Sequence, residues 1–442
     1  MKRCDLILDN ALIITLDEQE RILSGHAVVI NDNKIVDILK SEHAKSTYEA
    51  QEIYDLKDKL LLPGFINMHT HIPMSYFKGL ADDLPLQTWL EKYIWPNEAK
   101  HISKDFIYDA SLHGIAELIK NGITQFNDMY FIAEQTAKAC INSGMRATIG
   151  DTGIDFPMGD FHLPERSFEH IHGLRQEFSE HETINFSLAP HAIYTCSKKT
   201  LEKCRDIAQE EKALINIHLS ETEFEVDQCI KEHGMRPVEY LDKIGLLSDR
   251  LIIAHGVHIN EKEMELLKRH NVSVCINTKS NLKLASGFSP IKKYLEYGIN
   301  LCMGTDSVAS NNNLSFFDEM SITAKLHKAL NQDPTILPAK EMLKMATING
   351  AKALGAKDKF GSIEIGKIAD LIALDTASIE CQPFYDPYSL IVYTMGNSAV
   401  SDVVINGKFV LKAKQLLTIN ELEIIVKAKE YKSKLEVLNG SF

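Results

Sequence analysis

The chain is expected to fold as an α/β protein: a (β/α)8 TIM-type barrel with a small β-sandwich built from its N- and C-terminal segments. Three observations lead there. About eight short apolar, strand-like runs alternate with helix-period segments over roughly 250 residues, the size of one barrel. The two ends have a different texture, with apolar and polar positions alternating between turn clusters. The length, 442 residues, exceeds one small core and suits one large barrel with a satellite. The implied division is residues 1–57 for the first part of the sandwich, 58–360 for a metal-dependent barrel, and 361–442 for the rest of the sandwich plus a terminal helix.

In residues 1–57 the runs Leu6-Ile-Leu8, Ala11-Leu-Ile-Ile14 and Ala27-Val-Val-Ile30 are separated by turns such as Asn31-Asp-Asn33. They read as a small antiparallel sheet. The barrel strands are expected at Leu60 to His71, Ile123 to Met129, Arg146 to Thr152, Asn185 to His191, Leu214 to Ser220, Leu251 to His255, Val272 to Asn277 and Asn300 to Asp306. Helix-period segments lie between most of them: Phe106 to Asn121, stopped by Gly122, then Thr200 to Lys212 and Asn260 to His270. Pro338 to Leu354 reads as one long helix ended by Gly355. The sandwich texture returns at Ile368 to Leu374 and Asp402 to Val410, where Asn406-Gly407 is a two-residue hairpin signal. Val-Val-Ile-Asn occurs at both Val28–Asn31 and Val403–Asn406, each before a turn, so the two ends are expected to build one sandwich together. Glu421 to Leu438 reads as a terminal amphipathic helix.

Composition is that of an ordinary globular chain, 45% hydrophobic and 25% charged. The formal charge of −13 argues against nucleic acid or an anionic membrane as the main partner. None of the eight cysteines forms a Cys-x-x-Cys pair, and Cys275 and Cys302 sit inside apolar runs where reduced, buried thiols are common. The opening stretch mimics a signal peptide for a few residues only, since Asp5, Asp9 and Asp17 interrupt it. No run reaches the ~18 apolar residues of a membrane helix. The cytoplasm is the default location.

The chemistry gathers at the strand ends. His69 and His71, His218, His255 and Asp306 each close a strand-like run, and in a barrel those ends share one mouth. Four of these five would satisfy one zinc-like ion and leave room for a water, as in a metal-dependent hydrolase. His-x-His alone means little: 17 histidines in 442 positions give roughly 0.6 such pairs by chance. His170-Ile-His172 is a second pair, but it lies in a helix-like stretch where i and i+2 side chains diverge. His69 and His71 end a strand, where i and i+2 share a side. A carboxylate at Asp306, closing an apolar strand, is costly unless paired or metal-bound. Three imidazoles and a carboxylate suit one divalent ion, zinc above all, although iron or manganese would accept them too.

Glu221 lies three residues beyond His218, on the loop above the site, and a non-ligand glutamate beside activated water is a candidate proton shuttle. Glu223 and Glu225 are rivals, one of them expected on solvated helix surface. His191 ends another strand and is expected to contact substrate. His113 lies inside a helix and is assigned to packing or surface, and His26, His43, His101, His162, His181, His233, His258, His270 and His327 show no ligand context.

Taken together these residues resemble the amidohydrolase superfamily, and within it the 5-methylthioadenosine / S-adenosylhomocysteine deaminase group with its triazine hydrolase relatives. The resemblance is carried by Pro63-Gly-Phe-Ile-Asn-Met-His69-Thr-His71, Lys78-Gly-Leu-Ala-Asp-Asp-Leu-Pro-Leu86, Trp95-Pro-Asn-Glu98 and His218-Leu-Ser-Glu221-Thr. It continues through Ala254-His255-Gly-Val-His258, Ser280-Asn-Leu-Lys-Leu-Ala-Ser-Gly287, Gly304-Thr-Asp306, Ser310-Asn-Asn-Asn-Leu314 and Gly361-Ser-Ile-Glu-Ile-Gly-Lys-Ile-Ala-Asp-Leu371, nearly the whole chain. It implies that His69, His71, His218 and Asp306 hold the ion and that His255 holds the attacking water. It further implies that Glu98 grips a ribose diol and that His191 touches the nucleoside near the sugar. The implied reaction is hydrolytic deamination of an adenine nucleoside to its inosine analogue and ammonia by a metal-bound hydroxide. Asp306 accepts the water proton and returns it to ammonia, Glu221 protonates the ring nitrogen beside C6, and His255 stabilises the developing charge.

Two departures from the family pattern bear on specificity. Relatives usually read Asn-Pro before the Ser-Asn-Leu-Lys-Leu run, whereas this chain has Asn277-Thr278-Lys279. The loop after the third strand, Gly150 to Pro157, is acidic and lacks arginine until Arg166. An acidic loop should repel an amino-acid carboxylate, which favours methylthioadenosine over S-adenosylhomocysteine. The rival readings are a deaminase of a free base or of aminodeoxyfutalosine, a chlorotriazine-type hydrolase, and a non-catalytic barrel scaffold. The partner is a small-molecule nucleoside, with no nucleic acid and no membrane. A homo-oligomer is compatible, since relatives commonly form dimers, but no segment shows an interface.

Overall fold

The computed structural model describes residues 1–158, 162 and 168–435. The first strands are β1 (Lys2–Ile14), β2 (Ile22–Asn31), β3 (Lys34–Lys40), β4 (Tyr48–Asp55) and β5 (Lys59–Pro63). β1, β2 and β3 form the expected antiparallel meander, but β4 and β5 both run parallel to β1. The sheet is therefore mixed rather than antiparallel. The chain leaves β3 through a helix, Ser41–Thr47, and a crossover of that kind returns the next strand in the parallel sense. That helix buries only Ala44, so it carries no apolar period by which to find it. A bulge between Leu8 and Ala11 lets one strand serve two neighbours, Lys2–Asp9 pairing with β4 and Leu12–Ile13 with β5.

The barrel strands are β6 (Phe65–Thr70), β7 (Ile123–Tyr130), β8 (Arg146–Gly153), β9 (Ile184–Pro190), β10 (Ile215–Leu219), β11 (Leu251–His255), β12 (Ser273–Ile276) and β13 (Asn300–Met303). They lie side by side in chain order and are all parallel. The amide of Asp306 donates to the carbonyl of His69 at 2.9 Å and draws the first and last strands together. Ile66, Met68, Ile252, Cys275 and Cys302 pack with Ala351 and Phe360 to fill the interior. Strands this buried read as apolar runs rather than alternating ones.

The strand expected from Leu60 to His71 is two strands. Residues 59–63 pair with β1 in the terminal sheet, the chain turns at Gly64, and β6 begins the barrel. A Cβ at Gly64 would stand 2.1 Å from the Thr124 hydroxyl, so only glycine lets the backbone pass there. The terminal sheet is completed by β14 (Leu371–Asp375), β15 (Val400–Ile405), β16 (Lys408–Lys412) and β17 (Gln415–Leu416), in the order β17-β16-β15-β14-β5-β1-β2-β3, with β4 on β1. Asn406 and Gly407, with φ of 52° and 78°, make the tight β15–β16 turn. Its core includes Leu6, Leu8 and Val28 from one end and Leu371 and Val404 from the other. The two ends do build one unit.

Helix Lys104–Lys120 starts at the cap Ser103, whose hydroxyl accepts the Phe106 amide, and Glu261–Arg269 starts at an Asn260–Glu263 capping box. The long helix expected over Pro338 to Leu354 is instead Ala339–Met345 and Ile348–Ala353. Buried Thr347 breaks it: its hydroxyl donates back to the Leu343 carbonyl at 2.6 Å and its backbone leaves the helical region. The redirected second helix brings Gly350 against Ile66 of β6. The terminal helix runs Glu421–Lys432 and buries only Ile424, with Leu422 and Val426 exposed, so its sidedness is weaker than expected. The end of that expected helix, residues 436–438, lies outside the described residues. No described helix is long and apolar enough to cross a membrane.

Candidate active site

His69 lies in β6 and His71 one residue past it, so strand alternation turns both imidazoles to the same side. His218 lies in β10, His255 closes β11, Glu221 is two residues past β10, and Asp306 three past β13. These ends converge. One ligand atom from each of His69, His71, His218 and Asp306 lies within 4.8 Å of every other, and among the described residues this is the one such group. His69 Nε2 and His71 Nε2 stand 3.4 and 3.2 Å from Asp306 Oδ1, and His71 Nε2 is 3.3 Å from His218 Nε2. His255 stands outside the group, its ring centroid 5.4 Å from that of His218 and its Nε2 3.9 Å from Glu221 Oε2.

The outer nitrogens fix these rings. His71 Nδ1 donates to the Met129 carbonyl at 2.6 Å and His218 Nδ1 to the His191 carbonyl at 2.7 Å. A carbonyl only accepts, so each ring carries its proton on Nδ1 and turns the Nε2 lone pair inward, as metal-ligating histidines do. Burial takes His69 down to about 4 and His218 well below its ordinary value, which keeps both imidazoles neutral. Burial alone would raise Asp306, but the contacts with His69 and His71 outweigh it and hold the carboxyl well below the usual range. Both ring nitrogens of fully buried His69 have no hydrogen-bond partner. An unpartnered, neutral, buried donor facing a carboxylate fits a divalent cation and is otherwise costly. His255, Ser220 and Asp306 all hold left-handed φ values, 71°, 53° and 59°, the kind of backbone strain that collects at functional sites.

A polar shell stands behind this group that sequence reasoning did not single out. Ser280 and Ser310 hydroxyls donate to Asp306 Oδ2 at 2.5 and 2.9 Å, leaving Oδ1 toward the histidines. Asn281 Oδ1 accepts His255 Nδ1 at 2.8 Å, and Ser286 donates to Glu221 Oε1 at 3.1 Å. Ser280, Asn281 and Ser286 all lie in the Ser280–Gly287 run, so the signal was present but their partners were unknowable from one dimension. Of the two rivals to Glu221, Glu223 is exposed, while Glu225 is buried and accepts the amides of Ser220 and Glu221 at 2.9 and 2.8 Å. Thr278 and Lys279 give their amides to buried Glu319. A proline at 278 has no such donor.

One cavity joins the histidine–aspartate group to Glu98, His191, Tyr130 and an apolar wall. Glu98 is buried, and burial lifts its carboxyl to about 7 while one oxygen accepts the Tyr130 hydroxyl at 2.6 Å. His191 Nδ1 is 3.0 Å from the Thr195 hydroxyl, and burial brings its ring down to about 3. The acidic residues of the 150–157 loop do not line this cavity; Asp151 pairs with His170 at 3.1 Å, and Asp155 accepts from the Ser197 amide and Thr200 hydroxyl. The cavity is lined instead by Thr152, near the end of β8, and by Ile154 just past it, so the expected loop begins only after Gly153. Any effect of these acids on a bound carboxylate therefore acts from behind the cavity wall and not by contact. Arg166 lies outside the described residues. His170 and His172 diverge to Asp151 and Glu211, and His258 Nε2 meets the Ser286 carbonyl.

Residues 60–410 match the model of the amidohydrolase family. A 5-methylthioadenosine/S-adenosylhomocysteine deaminase of Syntrophobacter fumaroxidans is 41% identical over 427 residues, 97% of each chain. The crystal structure of a zinc-bound adenosine deaminase from Xanthomonas campestris superposes with a TM-score of 0.95 at 36% identity, covering 98% of this chain and 99% of the other. A zinc-bound atrazine chlorohydrolase of Arthrobacter aurescens shares the fold, with a TM-score of 0.89 at 22% identity over 96% of this chain and 99% of the other.

Proposed function

We propose that this chain, which belongs to the amidohydrolase family, is a metal-dependent deaminase of adenine nucleosides, converting 5-methylthioadenosine or a close analogue to the inosine form plus ammonia. The observation that supports this most is one cavity that holds both a four-donor metal cage and, on its wall, a buried carboxylate suited to two adjacent hydroxyls. The deaminase at 41% identity over nearly the full length points the same way. A free-base deaminase or a chlorotriazine hydrolase has no ribose for Glu98 to hold.

In this reading His69, His71, His218 and Asp306 hold one divalent ion. Zinc is the choice that three imidazoles and a carboxylate favour, and the Xanthomonas deaminase carries it. Such an ion supplies acidified water at neutral pH. Asp306 would accept a proton from the attacking water at a carboxylate oxygen and pass it to the departing ammonia. Glu221, buried and with its carboxyl raised chiefly by that burial, is suited to deliver a proton to the ring nitrogen next to C6 and to take back the proton left on the added hydroxyl as the oxo group forms. His255, with Nδ1 donating to Asn281 Oδ1, presents the Nε2 lone pair to the cavity, where it would hold the attacking water by accepting a hydrogen bond. Glu98 holds the ribose diol with Tyr130 fixing one of its oxygens, and His191 contacts the sugar side of the nucleoside.

The catalytic unit in this proposal runs over residues 58–360. All eight cysteines are buried and unpaired, which supports a reducing compartment such as the cytoplasm. The test is an absorbance panel of methylthioadenosine, S-adenosylhomocysteine, adenosine, guanine and cytosine, watching for the amino-to-oxo change. Conversion of nucleosides but not free bases supports the proposal; conversion of bases alone overturns it.

A further inference from the structure

The cavity over the metal cage and a wider surface groove adjoin at the barrel mouth, and the two residues that line both are Leu86 and Leu284. Leu86 opens the short helix Leu86–Trp89 in the segment that roofs the site. Leu284 caps the helix Thr278–Lys283 that follows β12. A polar tie holds these two segments together: Lys283 Nζ donates to Asp82 Oδ1 at 2.6 Å, and Asn312, from the segment after β13, braces the pair by donating to Asp82 Oδ2 at 2.9 Å. Both leucines are half-buried, each with one side toward the cavity and one toward the groove.

The two compartments differ in chemistry. Around Glu98 the inner wall is Trp89, Leu90, Ile94, Trp95 and Ile154, and among the described residues no lysine or arginine lines it. The outer groove is open to solvent and carries Asp83, Gln87, Glu223, His258 and Lys283 beside the apolar Leu84, Pro85 and Phe224. Confined to the inner compartment, an amino-acid tail would lose its water, and among the described residues its carboxylate would meet Glu98 and Glu221 rather than a lysine or arginine. A short thioether placed there gains from burial. In the outer groove the same charged tail would stay hydrated among polar side chains.

We propose that Leu86 and Leu284 are the specificity-determining partition of this site. Closed, the partition confines the 5′ substituent of the nucleoside to the inner compartment and selects a short, uncharged alkylthio group. Opened by truncation, it lets a longer or amino-acid-bearing tail reach the groove. This inference rests on the nucleoside-deaminase reading above and names which nucleoside that reading serves.

The experiment compares kcat/KM for 5-methylthioadenosine, its 5′-butylthio analogue and S-adenosylhomocysteine in the wild-type protein, Leu86→Ala, Leu284→Ala and the double variant. The wild type is expected to favour methylthioadenosine over S-adenosylhomocysteine by at least ~10-fold, and to lose a similar factor on lengthening to butylthio. Each truncation should narrow both ratios by at least ~5-fold, and the double variant should narrow them further. Because butylthio is long but uncharged, its gain in the variants isolates the steric role of the two leucines. Equal wild-type kcat/KM for the three nucleosides overturns the partition, as do unchanged ratios in variants that still turn over methylthioadenosine. Should one truncation fail to fold, the other variant and the wild-type length series decide the question. A wild type that deaminates no nucleoside at all overturns the parent reading and this inference with it; one that accepts all tails equally overturns this inference alone.

Discussion

Replacing Glu98 by glutamine should lower activity and raise stability, in opposite pH-dependent ways. Burial lifts the folded Glu98 carboxyl from 4.5 to about 7, with the Tyr130 hydroxyl and the neighbouring His71 pulling the other way. The difference, about 2.5 pH units at ~1.4 kcal/mol each, makes fully ionised Glu98 cost the fold roughly 3.5 kcal/mol. The sign follows from the protons. Between those two pH values the folded state still holds a proton that the unfolded chain has released, so stability falls as pH rises from 4.5 to about 7. Glutamine has no proton to lose and keeps an oxygen that can accept from Tyr130 at 2.6 Å. In urea unfolding followed by circular dichroism, Glu98→Gln should therefore differ little from the wild type near pH 5. It should exceed the wild type by up to roughly 3 kcal/mol near pH 8. Activity moves the other way. Two hydroxyl-to-carboxylate hydrogen bonds at ~1.5–3 kcal/mol each amount to a loss of roughly 10²- to 10⁴-fold in kcat/KM on nucleosides. A variant no more stable than the wild type at pH 8, or one whose gain is the same at both pH values, would show that Glu98 is not strained by burial. A free base losing as much rate as a nucleoside would show that Glu98 does not read ribose.

Further expectations concern other parts of the molecule. Glu221→Gln should keep its metal, by elemental analysis, and lose about 10²- to 10⁴-fold in kcat; undiminished turnover removes Glu221 from proton transfer. Gly304→Ala would place a Cβ 2.7 Å from Cys275 Sγ and 2.8 Å from both Asn277 Nδ2 and the His69 backbone nitrogen. That overpacking should cost about 1–3 kcal/mol, read as a lower Tm, and an unchanged Tm contradicts the close packing. At Asp402 burial pushes the carboxyl up, but the Ala413 amide, Lys59, Ser401 and Tyr54 outweigh it and lower it overall. Its contribution to stability is therefore present above the ordinary carboxylate value and lost as pH falls through the lowered one. Asp402→Asn should cost stability at pH 7 and less at acid pH; an equal penalty at both would mean the ion pair with Lys59 is silent.

Most barrel strands were legible because burial on both faces makes them short apolar runs between helical stretches, as in β10 and β11, whereas β7 and β8 bury Gln125, Asn127 and Asp128 and Arg146, Thr148 and Asp151 among their apolar residues. The five donors at their ends were legible for the same reason: a histidine or aspartate closing such a run stands out. What the sequence hid depends on partners distant along the chain. The split at Gly64 is set by a close approach to Thr124, and the break at Thr347 by one hydroxyl choosing a backbone carbonyl. The parallel placement of β4 follows from a crossover helix too polar to show a period. At the site, Ser280, Asn281 and Ser286 sat inside a conspicuous run, yet nothing in that run says which of Asp306, His255 and Glu221 each one holds. The acids at 150–157 were visible but their partners were not: Asp151 and Asp155 are turned to His170 and Ser197 instead of the cavity.

The most direct check is a metal count on purified protein dialysed against zinc, repeated for His218→Ala, Asp306→Ala and His255→Ala. Wild type and His255→Ala should each retain about one ion per chain, and the other two should retain little or none. A wild-type chain that holds no ion, or a His255→Ala chain that loses it while His218→Ala keeps it, would mean that His69, His71, His218 and Asp306 are not the cage described here.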